Sequence, residues 1–203
     1  MDSAKIRLSP EEAALVTRAD WILTKNSILQ KIKQLLATLQ TEQKHLVASC
    51  SSFFPAEILN TSPKISKGEN YKGLPYIILD YPRYFNKENI FAIRTLFWWG
   101  NFFSVTLHLS GIYKKKFEEK LIRSFELLKT KDFSICINHD PWEHHFEPTN
   151  YLPLSTITAY QFEEAIRRSP FIKLSKKNPL GEWNKAEKKL LEIFSQLINS
   201  LAD

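Results

Sequence analysis

The side chains best able to bind a metal or carry a proton are concentrated in one run, His139-Asp140-Pro141-Trp142-Glu143-His144-His145. Imidazoles and carboxylates together suit zinc, iron, nickel or manganese. A divalent transition metal is therefore the cofactor that His139, Asp140, Glu143, His144 and His145 would hold. With an open coordination position it would activate water or oxygen for a hydrolase or oxygenase type of reaction. The spacing is not H-E-x-x-H or another stereotyped metal motif, and in extended backbone His144 and His145 point opposite ways. A polar loop that caps and solvates a strand end uses the same residue types, and Pro141, Pro148 and Pro153 favour a loop here.

A second group lies in a strongly aromatic stretch, where Arg94 and His108 stand among Phe91, Leu96, Trp98, Trp99, Phe102 and Phe103. Arg94, Trp98 and His108 are the candidate ligand-binding residues. A buried guanidinium needs a carboxylate or several carbonyls, because an unpaired buried charge costs several kcal/mol. Asp80 on the neighbouring strand is the expected structural partner; the functional alternative is an anionic ligand gripped by Arg94. His108, near Thr95 and Thr106, reads as a satisfied histidine.

Other motifs carry less. Gly68 to Gly73 has P-loop spacing, but Leu74-Pro75 stands where the phosphate-binding lysine and the magnesium-binding hydroxyl are required. Lys114, Lys115 and Lys116 begin a helix, where a phosphate or sulfate could bind. Cys50 and Cys136 make neither a C-x-x-C nor a disulfide framework. No nucleophile motif is present, so the catalytic residues are unknown and the chain is not assigned to the enzymes on sequence.

The elements that must position these groups are readable. Ser9-Pro10-Glu11-Glu12 opens a helix with a capping box. An apolar stripe then runs through Leu15, Ala19, Ile22, Leu23, Ile28, Ile32, Leu35, Leu36, Leu39 and Leu46, as one long helix or a helical hairpin broken near Asn26-Ser27. This stripe packs on the body of the protein; its alternative use is homodimerisation through the N-terminal helices. Ser49 to Gly73 reads mostly as loop. YIILDY at 76–81 is a strand closed by Pro82, and residues 91–110 form a hairpin turning at Gly100-Asn101. A two-residue turn sets Trp99 opposite Phe102, Arg94 opposite Leu107 and Ile93 opposite His108, which places Arg94 and His108 on opposite faces. Tyr113 to Lys129 is a helix, Phe133 to Asn138 a strand and Phe171 to Leu174 a short strand. Thr158 with Gln161, and Asn184 with Glu187, open two more helices. The whole is a single α+β domain over 1–203, with a helical segment at 1–48 and a sheet-containing core at 74–203. The sheet is mainly antiparallel with about four to five strands, its central hairpin at 91–110, packed by the N-terminal helix or helical hairpin and a C-terminal helix.

Composition bounds the partners. The chain has 203 residues, 43% hydrophobic and 25% charged, which excludes a mainly disordered or low-complexity protein. The 28 Lys+Arg against 22 Asp+Glu leave +6, spread along the chain without a basic arm, which argues against a nucleic-acid partner. Met1 to Pro10 has no apolar core to serve as a leader, so a reducing cytoplasm is the expected compartment and Asn60-Thr61-Ser62 an inert glycosylation sequence. Thr95 to Tyr113 carries no Asp, Glu, Lys or Arg and, at about 20 residues, is long enough to span a bilayer. Its central Gly100-Asn101 and its β-branched, aromatic pattern indicate strands instead, hence no membrane. The leading expectation is a cytoplasmic binding or interaction domain with an aromatic-lined sheet, its partner an unknown protein or small-molecule ligand. A metal-dependent enzyme built on the His139–His145 loop comes second, and a nucleic-acid-binding accessory protein third.

Overall fold

The computed structural model describes residues 6–202, so part of the Met1–Pro10 stretch lies outside the described residues. Helix α1 (Pro10–Val16) starts with the expected capping box: Ser9 Oγ accepts from the Glu12 amide, and the Ser9 amide donates to Glu12. After a break at Thr17–Ala19, α2 (Asp20–Ser49) runs unbroken through Asn26-Ser27. The stripe is therefore carried by a short first helix and one long rod, divided at Thr17–Ala19 and not at Asn26-Ser27. Only from Ile32 onward does it bury residues, placing Ile32, Leu36, Leu39, Gln43 and Val47 on the sheet and the last helix. The preceding turns leave Leu15, Val16, Trp21, Ile22 and Leu23 exposed.

The remaining elements are α3 (Ala56–Leu59), β1 (Lys64–Tyr71), β2 (Leu74–Phe85), β3 (Ile90–Trp98), β4 (Phe102–Ser110), α4 (Gly111–Arg123), α5 (Phe125–Thr130), β5 (Ser134–Cys136), β6 (Tyr151–Pro153), α6 (Ala159–Arg168), β7 (Phe171–Pro179) and α7 (Ala186–Asn199). Seven antiparallel strands form one sheet in the order β1-β2-β3-β4-β7-β5-β6. The α+β class with an antiparallel sheet, a long N-terminal helix and a C-terminal helix is as expected, but there are more strands. The two extra strands lack the usual signature. β1, KISKGENY, is a polar edge strand, and edge strands carry charge to resist further pairing. β6 is short, also at an edge, and contains a proline. The strand over 76–81 does not stop at Pro82. It continues to Phe85 through a bulge between Asp80 and Arg83 that contains the cis Tyr81–Pro82 bond.

One expectation is corrected with consequences for the site. The turn between β3 and β4 is Trp99-Gly100-Asn101, with Gly100 at φ +71°, rather than Gly100-Asn101 alone. Glycine in this left-handed region is what a three-residue hairpin loop uses. The register moves by one: Trp98 faces Phe102, Arg94 faces Thr106 and Ala92 faces His108. Because side chains alternate with period two, this slip brings Arg94 and His108 onto the same face.

The two faces differ in what covers them. Phe91, Ile93, Phe97, Phe103, Val105, Leu107 and Leu109 look toward α2, α4 and α7 and form the main core with Phe117, Leu190 and Phe194. The helix expected over Tyr113–Lys129 is divided at the buried Ser124, whose amide closes α4 and whose hydroxyl donates to the Ser200 carbonyl. The strand that ends α6 is also longer than expected: β7 runs to Pro179 and is central, between β4 and β5. The last helix begins at Ala186, preceded by a 3₁₀ segment over Leu180–Lys185. Among the described residues no helix is long and apolar enough to cross a membrane. The long uncharged stretch is instead the β3–β4 hairpin and the first turn of α4.

Gly111 joins β4 to α4 at φ +58°, where the Ile112 amide donates to Asn89 Oδ1. A Cβ here would overlap Asn89 Oδ1 and the Glu88 carbonyl oxygen. Gly111→Ala is expected to lower unfolding stability by about 1–3 kcal/mol in urea titration. A change within about 0.3 kcal/mol would show that the connection relaxes freely.

Candidate functional site under the 137–150 loop

The face turned away from the helices is half apolar and half polar. Ile78, Leu96 and Trp98 form a small cluster with Tyr71, Tyr76 and Phe102. Beside it the antiparallel register aligns a polar row across five strands: Asp80 on β2, Arg94 on β3, Thr106 on β4, Ser175 on β7 and Ser134 on β5. The adjacent row is Ala92, His108 and Lys173. The loop from Ile137 to Asn150 lies over both rows.

Arg94 forms the expected ion pair. Its Nε donates to Asp80 Oδ1 at 2.8 Å and its Nη2 to Asp80 Oδ2 at 2.9 Å. The two parallel bonds fix the guanidinium in the plane of the carboxylate. Nη1 is left to face the loop, 3.3 Å from His144 Nε2, and the guanidinium carbon sits 5.8 Å from the Trp142 ring centre. Thr106 Oγ1 and Ser175 Oγ are 2.6 Å apart.

His108 is only 5% exposed, and its Nε2 has no hydrogen-bond partner. The ring lies between those of Trp142 and Phe171. Burial, with Lys173 and Arg94 nearby, pushes its pKa down to about 3, so the ring is neutral. Burial and the same two cations hold His144 well below the usual imidazole range.

Lys173 was not among the residues expected from sequence. It is 2% exposed, and its Nζ donates to the Glu143 carbonyl oxygen at 2.6 Å while lying 5.4 Å from the Tyr151 ring centre. Burial pushes its pKa down to about 8. Between Ile172 and Leu174, which face the helices, period two places Lys173 on the opposite face. That alternation is visible in the sequence; what hides Lys173 there is that 171–174 reads only as a short strand with no place assigned in the sheet.

Tyr71, also missed, fastens the loop to the sheet. Its hydroxyl accepts from the amides of His144 at 2.7 Å and His145 at 3.0 Å and donates to Glu143 Oε2 at 2.8 Å. Burial raises its pKa to about 12, keeping the hydroxyl protonated for that donation. Only the fold shows this role, because Tyr71 comes from the far edge strand. Trp98 packs edge-on against Tyr71 and Phe102 and donates to the Tyr71 carbonyl oxygen. It supports the loop's anchor and is not part of the polar row.

The five residues expected to hold a metal are dispersed. His139 is exposed and lines a separate groove with Arg168 and Pro170. Asp140 Oδ1 accepts from the Trp142 amide and shapes the turn. Glu143 is engaged by Tyr71 and by His145 Nε2 at 3.3 Å; His145 Nδ1 accepts from the Glu147 amide. His144 points the other way, to Arg94. Among the described residues no group of three or more His, Cys, Asp or Glu gathers to hold a metal ion. The cations beside His144 also make that position unfavourable for another cation. Lys114 is paired with Glu118 at 2.9 Å, and Lys116 lies over the Phe117 ring. The sheet aromatics Trp98 and Phe103 are buried and so unavailable for base stacking.

Between the sheet and the loop remains a cavity of about 10 Å³, walled by Arg94, Thr106, His108 and Lys173 below and by Pro141 and His144 above. That is room for about one water molecule. Anything larger requires the Pro141–His144 segment to lift, breaking the contacts with Arg94 and Lys173. Compared with protein-family models, with curated proteins and with solved structures, the chain matches none.

Proposed function

We propose that the protein is a small-molecule-binding domain whose site is the polar half of the sheet face, with the 137–150 loop as its cover. The observation that supports this most directly is His108 Nε2, a buried ring nitrogen without a partner beside a small cavity. A buried polar atom left unpaired costs about 1–3 kcal/mol, and a bound molecule would recover it. Arg94 and His108 remain the ligand-binding residues expected from sequence, now with Lys173, Thr106 and His144; Trp98 acts by supporting Tyr71. Nothing is asked of a metal.

A mixed panel of neutral, cationic and anionic small molecules, followed by ligand-observed NMR, tests the reading. At least one compound is expected to bind the wild type and to lose at least tenfold in affinity in His108→Leu. A panel with no binder, or binders indifferent to His108→Leu in a folded variant, would count against the site.

A further inference from the structure

We infer that the ligand of this site is a small anion, such as a carboxylate, and that Lys173 is the charge that selects it. The inference rests on the small-molecule reading above and is carried by the distribution of charge around the cavity. Arg94 and Lys173, two imidazoles and one hydroxyl line it together with Phe85, Ala92 and Pro141, and no carboxylate does. Asp80 is nearby but is engaged through both oxygens by Arg94. Glu143 turns its carboxylate to Tyr71 and His145 and offers Lys173 only its backbone carbonyl. Asp140 is engaged with the Trp142 amide, on the exposed part of the loop. The Lys173 ammonium thus has three hydrogens to donate and one hydrogen-bond acceptor, a neutral carbonyl, in a place almost closed to water.

Burying a charge without a counter-charge is costly, and removing that cost favours whatever supplies the opposite sign. A carboxylate placed between Lys173, His108 Nε2 and the free edge of Arg94 would accept from all three, with His108 donating from its neutral N–H tautomer. Arg94 keeps its bidentate pairing with Asp80 and contributes Nη1, which His144 now occupies. An anion would displace His144 from Arg94 and the Glu143 carbonyl from Lys173. Both displaced groups belong to the cover, so admission of the anion and lifting of the loop are one event. Burial is the main cause of the depressed Lys173 pKa, about 8, which the Asp140 and Glu143 carboxylates offset only in part.

Acetate, inorganic phosphate and acetamide, a neutral shape analogue of acetate, separate the cases by isothermal titration calorimetry in chloride-free buffer at constant ionic strength. Acetate or phosphate is expected to bind saturably to the wild type, with acetamide at least tenfold weaker. Lys173→Met is expected to lose the anion by tenfold or more while melting at or above the wild-type temperature, which shows that it is folded. Lys173→Arg, which keeps the charge, is expected to retain more binding than Lys173→Met. Acetamide binding as well as acetate, or anion binding unchanged in Lys173→Met, overturns the anion class. If a neutral compound from the mixed panel nevertheless binds through His108, the small-molecule reading stands alone. Absence of any binder dependent on His108 removes both.

Discussion

Replacing Asp80 with alanine is expected to destabilise the protein by about 3–5 kcal/mol, one of the largest effects of any single substitution at this face. Asp80 is buried, and the Arg94 side chain is little exposed. The substitution leaves a guanidinium without its carboxylate, beside Lys173 and two neutral histidines, in a region that water barely reaches. The cost comes from stranding a charge and not from the intrinsic worth of the pair. The double variant Asp80→Leu/Arg94→Met is therefore expected to lie within about 2 kcal/mol of the wild type, because well-packed apolar side chains replace ion pairs at little net cost. Urea denaturation of the two single variants and the double variant measures the cycle. If Asp80→Ala costs under about 1 kcal/mol, the pair behaves as an exposed one and the covered face described here is open to solvent.

The second large effect is expected in acid. His108 has a folded pKa of about 3 against an ordinary 6.5, and His144 is lowered for the same reasons. Between those limits the unfolded chain binds protons that the folded chain refuses, so stability rises with pH across the window and is lost as pH falls below 6.5. Each such histidine removes up to about 1.4 kcal/mol per pH unit. From pH 6.5 to pH 5 His108 alone would withdraw up to about 2 kcal/mol, and His144 adds to the loss in the same direction. The difference between wild type and His108→Leu isolates one member. The variant is expected to lose about 2 kcal/mol less than the wild type over that interval. Parallel curves for the two proteins would mean that His108 titrates normally and that the loop does not exclude water from it.

Much of this architecture was legible in the residues, and the exceptions have definite causes. The capping boxes at Ser9–Glu12 and Thr158–Gln161 are local signals and appear as expected. The hairpin's location, though not its turn length or register, and the Asp80–Arg94 pair were likewise visible. β1 was hidden because a solvated edge strand has no apolar face to betray it. Among the described residues the proposed metal set does not gather in one place, because its five residues lie in a loop, where sequence neighbours can turn in unrelated directions. Tyr71, His108, His144 and Lys173 come from four separate parts of the chain, and only strand pairing brings them together. Lys173 illustrates the limit best: a lysine beside two further lysines at 176 and 177 looks like surface until its strand is known to be central.

The turn at Trp99-Gly100-Asn101 determines more than the path of the chain. Since successive residues in a strand project to opposite sides, the parity of this turn decides whether Arg94 shares a side with His108 and Lys173. Deleting or inserting one residue there would exchange the inner and outer complements of one strand relative to the other, while a change of two would leave them matched. The turn should thus accept substitution at Asn101 more readily than a single-residue change in length, and descendants of this sequence are expected to vary it in steps of two.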